Sequence, residues 1–327
     1  MELTLEAYRI IVNYAGSRSD IAALCRVSKT LRRVAERALY NTICLQHPDE
    51  ILALCSTLDA SPRLASLVDA LTISPATLGD ADYSDEADSE EDYDQELPEG
   101  FWETVAKALQ NTTNLRFLNV HSQSASTSAS AIILRNTTFS LRRFHCDFDW
   151  DDDLVGFLNR QTELVDLYIL DFKPYLDPGS TTATTSAPTT FYSTTTNLHA
   201  TSMSKLTTLE CTFAEAADAI IPHRPITHLK TCFSKTEMAA KREEMNRLFS
   251  TISLSSESIR SLDIADSSYN EPFAMELLRK VVDTKVTSAN LRYLGTLVLP
   301  IQGQERLRFY GLLMKLTVLQ CLESSGK

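Results

Sequence analysis

Two cysteines and two histidines in the second half of the chain have the residue types of a zinc site. They are Cys211, His223, His228 and Cys232, with eleven, four and three residues between them. Structural zinc sites usually hold their ligands in close pairs, and the first half of this set lacks a second nearby cysteine. The spacing therefore favours cysteines that act as small apolar side chains in a reducing compartment. We predict no metal site and no cofactor.

Motifs for other kinds of catalysis are missing from the sequence. It contains no glycine-rich loop that could hold a phosphate, no HExxH motif and no nucleophile elbow, and it has only nine glycines. We therefore predict that the protein has no catalytic residues and is not an enzyme.

The net charge of −12 comes almost entirely from one segment. Residues 80–96 contain ten acidic side chains and no basic one, and the rest of the chain would carry a net charge of −2. Neither part resembles the basic surface of a protein that binds nucleic acid. Ser89 is followed by three acidic residues, so an acid-directed kinase could phosphorylate it, although most acidic tracts are simply solvated loops.

A second polar segment lies at residues 179–196. Residues 180–196 contain twelve serines and threonines, and we predict that 179–196 and 80–96 are disordered insertions.

No apolar run approaches the roughly 18 residues that cross a membrane. The N-terminal MELTLEAYRI lacks the basic start of a secretory signal. We expect a cytoplasmic or nuclear protein that does not contact membranes.

Residues 1–46 show the pattern of three short helices. Thr4 can cap the first helix, Asp20 the second and Ser28 the third. The third carries an apolar stripe at i, i+3, i+4, i+7 and i+8. The stripe consists of Leu31, Val34, Ala35, Ala38 and Leu39. So small a helical segment buries little surface by itself, which indicates that it needs a partner.

Residues 47–327 repeat a six-residue strand pattern with apolar residues at positions one, four and six. The copies are VDALTI (68–73), LRFLNV (115–120), LRRFHC (141–146), LVDLYI (164–169), LTTLEC (206–211), IRSLDI (259–264) and LGTLVL (294–299), and ITHLKT (226–231) is a degenerate copy that ends in threonine. Helical patterns lie between them. This alternation predicts an irregular leucine-rich-repeat-like α/β solenoid with a parallel sheet.

The copies begin 47, 26, 23, 42, 20, 33 and 35 residues apart. Regular leucine-rich repeats are about 20–29 residues long, so four intervals contain insertions. A plain α/β domain with leucine-rich strands is the alternative. A final helix with Leu307, Tyr310, Leu313, Leu316 and Leu319 is expected to cap the end.

The first 45 residues resemble the F-box family, especially its fungal members. Those members open with an LPPE-like motif and close with VS-K-x-x-R-x-x-A-x-x-x-LY. Here the corresponding stretches are LTLE (3–6), DIAALCRVSK (20–29) and LRRVAERALYNTICL (31–45). Thr4 stands where the family has proline, and threonine can cap the helix that proline would begin. The resemblance implies an F-box in residues 1–46, followed by the repeat region in 47–327.

F-box domains bind a Skp-type adaptor, which links them to a cullin scaffold and a RING subunit. The resemblance therefore implies a substrate-recognition subunit of an SCF-type cullin–RING ubiquitin ligase whose protein substrate is unknown. Residue by residue, the implied adaptor contacts are Leu3, Thr4, Ile10, Ile11, Leu24, Val27, Ser28 and Leu31. Each could instead be an internal helix contact. The alternative function is an interaction scaffold that never engages a cullin.

Overall fold

The fold is α/β. It is described here from a computed structural model for residues 3–75, 97–121, 130–170, 198–212, 214–266, 270–300 and 303–325. The predicted insertions at 80–96 and 179–196, with Ser89, lie outside these residues. The chain forms two compact units, Met1–Asp147 and Phe148–Lys327. The predicted boundary after residue 46 falls inside the first unit.

The first unit begins with three helices and continues with four strands that are neighbours in chain order and parallel. Its helices are α1 Leu5–Asn13, α2 Arg18–Leu24, α3 Lys29–Tyr40, α4 Pro48–Ala60, α5 Pro62–Ala65, α6 Phe101–Asn111 and a short 3-10 helix Ala131–Leu134. Its strands are β1 Thr42–Leu45, β2 Ala70–Ile73, β3 Phe117–Val120 and β4 Arg143–Cys146.

The second unit has six strands that are likewise parallel and in chain order. The strands are β5 Asp166–Ile169, β6 Thr208–Cys211, β7 His228–Cys232, β8 Ser261–Ala265, β9 Tyr293–Val298 and β10 Cys321–Ser325. Its helices are α7 Asp152–Asn159, α8 Ala214–Ile220, α9 Met238–Ile252, α10 Glu271–Asp283, α11 Lys285–Ser288 and α12 Gly303–Leu313.

All eight predicted copies of the strand pattern contain a strand. Within each unit their apolar positions form buried columns, because the fourth position of one copy lies beside the fourth position of the next. In the first unit Leu71 pairs with Leu118 and Leu118 with Phe144, and all three are buried. The alternate side chains of each strand point to the opposite face of the sheet.

A backbone hydrogen-bond pattern recurs with the copies. The carbonyl oxygen of Asp69, at the second position of its copy, accepts from the backbone N–H groups of Arg116 and Phe117 at 2.9 and 3.0 Å. The same double acceptor occurs at Asn41, Arg116, Val165, Thr207, Thr227, Arg260 and Arg292. Within each unit, each copy is therefore joined to the next immediately before its strand begins.

The predicted register of the last copy is wrong. Leu294 pairs with Leu262, which occupies the fourth position of its own copy, so this copy begins at Leu291 and not at 294. A bulge opposite Leu322 and Ser324 places an extra residue in β9. With this extra residue, Leu294, Leu297 and Leu299 have the spacing of positions one, four and six, so the sequence wrongly suggests that a copy begins at Leu294.

Two further strands continue the pattern at its ends. β1 lies in YNTICL (40–45), within the segment predicted to be purely helical, and it pairs with β2. β10 lies in LQCLES (319–324) and pairs with β9. Leu319 therefore opens a strand copy and does not belong to α12, which ends at Leu313. The side chain of Leu307 on α12 is 73% exposed.

Candidate functional site

The three N-terminal helices enclose a small apolar core. Val12 of α1 and Leu31 and Ala35 of α3 are its buried members. Tyr8, Ile21, Leu24, Cys25 and Val34 are partly buried against them. Both α1 and α2 pack on α3, so α3 is the central element. Its predicted apolar stripe is buried at Leu31 and Ala35 and exposed at Ala38.

Short polar side chains fix where these helices begin. The Thr4 hydroxyl accepts a hydrogen bond from the Ala7 backbone N–H at 3.3 Å, and the Ser28 hydroxyl accepts one from Leu31 at 3.1 Å. Both predicted caps are confirmed. They satisfy N–H groups that the first turn of a helix cannot pair internally.

The predicted cap of the second helix is wrong. Ser17, not Asp20, is the N-cap residue of α2, and its hydroxyl accepts a hydrogen bond from the Asp20 backbone N–H at 3.1 Å. The same hydroxyl donates to the Asp20 carboxylate at 2.8 Å. Asp20 instead occupies the third helical position and supports the cap from inside the helix.

Large apolar side chains remain on the outside of this helical segment. We call them the N-terminal apolar surface, which consists of Leu3, Leu5, Ile10, Ile11, Tyr14 and Val27. Val27 is 67% exposed, Ile10 is 50% exposed and Tyr14 is 86% exposed. Ile10, Ile11 and Tyr14 share a face of α1 that points outward, because Tyr8 and Val12 turn the other side of α1 inward. Exposed apolar side chains of this size make the segment a candidate for contact with a partner.

The eight residues implied as adaptor contacts divide into three groups. Leu3, Ile10, Ile11 and Val27 are exposed on the N-terminal apolar surface. Leu24 and Leu31 pack into the helical core, Leu24 partly and Leu31 almost completely. Thr4 and Ser28 are exposed helix caps. Leu5 and Tyr14 are two further exposed apolar residues that the F-box resemblance does not imply as contacts, although Leu5 directly follows Thr4 and Tyr14 lies one helical turn after Ile10.

Basic side chains outnumber acidic ones in this helical segment. Five basic side chains at the end of α2 and along α3 are exposed, namely Arg26, Lys29, Arg32, Arg33 and Arg37. Glu36 of α3 is neutralised by the Arg63 guanidinium, whose Nη1 lies 2.6 Å from its carboxylate.

Two of the buried cysteines, Cys55 and Cys211, are unreactive thiols. Burial raises the pKa of Cys55 and of Cys211 to about 12, so both remain protonated thiols at neutral pH. Cys211 and the other three zinc candidates do not converge. Within the described residues, no three His, Cys, Asp or Glu side chains come together in a group that could hold a metal ion.

No helix in the described part of the chain combines the length and apolar character needed to cross a membrane. Comparison with known protein families found no family model that matches this chain. A search of curated proteins likewise found no match. The candidate site is thus defined by its own geometry, as an apolar surface on three capped helices with basic residues around it.

Proposed function

We propose that this protein is a substrate-recognition subunit of an SCF-type cullin–RING ubiquitin ligase. Its N-terminal F-box binds a Skp-type adaptor through the N-terminal apolar surface, and its leucine-rich-repeat-like solenoid binds a protein substrate. The protein performs no chemistry itself and is not an enzyme. We infer that it works in the cytoplasm or nucleus, where such ligases assemble.

The observation that carries the proposal is the exposure of Ile10, Ile11 and Val27, three of the residues that the F-box resemblance implies as adaptor contacts. Three short helices bury only Val12, Leu31 and Ala35 completely between them. Leaving large apolar side chains in water costs about 25 cal/mol for each Å² that a partner could cover. A protein partner that covers this surface is therefore strongly favoured.

The repeat region supports the proposal that the protein binds a protein substrate. Parallel strands in chain order, joined by the same backbone hydrogen bonds from copy to copy, are the construction of repeat proteins that bind other proteins. The side chains on the exposed face of such strands vary without disturbing the buried columns. This arrangement suits recognition of a particular substrate.

The alternative is an interaction scaffold whose helical segment binds an adaptor, or nothing, without recruiting a cullin. Affinity capture of the full chain from cells, with proteasome and ligase activity blocked, separates the two functions. We expect both a Skp-type adaptor and a cullin in the captured material. Adaptor without cullin would support the scaffold, and the absence of both would contradict the F-box assignment.

A further inference from the structure

The outer edge of β10 is an open strand edge of the second unit. Along the sheet, the carbonyl oxygen at the second position of a copy accepts two backbone N–H groups of the next copy, and that of Arg292 accepts from Gln320 and Cys321 at 2.8 and 3.0 Å. Gln320 holds the second position of the β10 copy. No backbone N–H group in the described part of the chain donates to its carbonyl oxygen. An edge of this kind can pair with another strand.

The buried apolar columns are also incomplete at this edge. Leu291 and Leu294 of the β9 copy are buried, whereas Leu319 and Leu322 at the same positions of the β10 copy are only half-buried. Leu322 pairs with Leu294 on its inner side. The last member of each column therefore meets water on the side where a further strand would lie.

The helix before β10 exposes apolar side chains as well. α12 packs on α10, and its buried Phe309 marks the inner side of the helix. Leu307, Tyr310 and Met314 follow at intervals of three and four residues, so they share another side of the helix, and all three are exposed. Both the strand and the helix layer of the second unit thus present apolar residues at its last copy.

A second copy of the chain can cover this edge by twofold symmetry. Alternate residues direct their backbone groups to the same side of a strand, so Leu322 faces outward as Gln320 does. If β10 pairs antiparallel with β10 of the second copy, with Leu322 opposite Leu322, the two residues exchange backbone hydrogen bonds and each extends the other's column. A centre at Glu323 would instead place two carboxylates directly opposite each other, which is unfavourable.

The charges along the edge favour this antiparallel arrangement. Arg292 and Lys315 lie near the start of β10, and Glu323 lies towards its end. Antiparallel pairing brings the basic start of one β10 towards the acidic end of the other, whereas parallel pairing would bring like charges together. A twofold axis perpendicular to the sheet also keeps both α12 helices on the same face of the joined sheet.

We propose that two copies of this chain associate through β10 and α12 as a twofold-symmetric dimer with a continuous sheet. Each copy's β10 takes the place of a further strand for the other, and the α12 helices cover each other's exposed apolar sides. The inference rests on the second unit alone and does not depend on the F-box assignment. If that assignment holds, one dimer carries two adaptor-binding segments.

Sedimentation velocity of the purified full chain over a range of micromolar concentrations should show a species with twice the mass of one chain. L307D/M314D places charges in the apolar contact of α12 and should weaken the association at least tenfold. L254D alters another exposed apolar side chain of the second unit and should change it less than twofold. Ser324→Pro removes an outward N–H group of β10 and should weaken it while leaving α12 intact.

Cross-linking locates the contact. In the proposed pairing Cys321 lies opposite Glu323 of the second copy, so the two Cys321 residues are about 7–8 Å apart across the axis. A short bismaleimide should therefore join two chains of the C44S variant, which lacks the other exposed cysteine. It should not join two chains of C44S/C321S.

A chain that stays monomeric at every concentration would overturn the proposal. A dimer that survives both L307D/M314D and S324P, or that cross-links equally well without Cys321, would overturn it too. I10D/V27D, altered on the N-terminal apolar surface, should remain dimeric, and its dissociation would place the contact there instead. L307D/M314D should retain the adaptor, so failure of the dimer is distinguishable from failure of the F-box assignment.

Discussion

At the scale of single residues, several side chains that the F-box resemblance implies as adaptor contacts have structural roles within the protein itself. Ser28 caps α3 and Thr4 caps α1, while Leu31 fills the helical core. An apolar or hydroxyl side chain in a sequence motif does not reveal which way it points. Exposure identifies Ile10 and Val27 as the better candidates for direct contact.

Replacing Ser28 separates its two possible roles. Ser28→Ala removes the N-cap of α3 and should destabilise this helix by about 1 kcal/mol, whereas Ser28→Asn restores a capping oxygen. We expect S28N to retain both slow hydrogen exchange in α3 and adaptor affinity. An S28N variant with a protected α3 but weak adaptor binding would show that the hydroxyl itself contacts the adaptor.

The raised pKa of Asp263 predicts how stability depends on pH. A carboxyl group whose pKa is higher in the folded protein than in the unfolded chain binds more protons when folded, so its contribution to stability falls as pH rises through that interval. Burial and the charges of Glu210 and Glu323 cause the shift, against Lys230, and Tyr293 donates to Glu323 nearby.

Asp263→Asn removes this titration. As pH rises above the ordinary pKa of an aspartate, about 3.9, the melting temperature of D263N should therefore rise relative to that of the unaltered protein. The exposed-site variant E243Q serves as the control and should show no such trend. A D263N difference that stays constant or shrinks with rising pH would mean that Asp263 is not electrostatically disfavoured in the fold.

At the scale of elements, replacing Gly295 or Gly311 by alanine should change the stability of the protein in opposite directions. Gly295→Ala forces a Cβ against Asp263 and should lower stability by about 1–3 kcal/mol. Gly311 lies within α12 with open space around it, so Gly311→Ala should raise stability by about 0.5–1 kcal/mol. Chemical denaturation measures both, and a neutral G295A would contradict the close approach of β8 and β9.

The sequence pattern predicted eight of the strands because their apolar columns are regular. It missed β1 and β10, since Tyr40 replaces leucine at the start of one copy and Ser324 replaces an apolar residue at the end of the other. Only strand pairing reveals these copies. The contact of Asp263 with Gly295 could not be predicted from the sequence either, because it depends on how β8 and β9 pair.

At the scale of the whole molecule, the helical segment and the strands should differ in stability. The helices share a core with three fully buried residues, whereas the strands are held by continuous buried columns. Hydrogen exchange of the full chain should be fast in residues 5–40 and slow in β3, β5 and β8. Addition of a Skp-type adaptor should slow exchange in residues 5–40 alone.

Strong protection of α1 to α3 without adaptor, unchanged when adaptor is added, would contradict that expectation. The helices would then be stabilised within the first compact unit, where Arg63 of α5 already reaches Glu36 of α3. Such a result would favour the scaffold function over the ligase function.

The affinity of the purified full chain for a Skp-type adaptor is the most direct measurement of the proposed function. Ile10 and Val27 are exposed, so I10D/V27D removes apolar contacts without opening the helical core. Anchors of this kind commonly contribute about 2 kcal/mol each, which corresponds to a loss of about 30-fold or more. Leu254→Asp, at an apolar side chain that is 54% exposed in the second unit, is the matched control. We predict adaptor binding by the unaltered protein and by L254D, and its loss in a folded I10D/V27D variant; undiminished binding by I10D/V27D, or none by the unaltered protein, would contradict the F-box assignment.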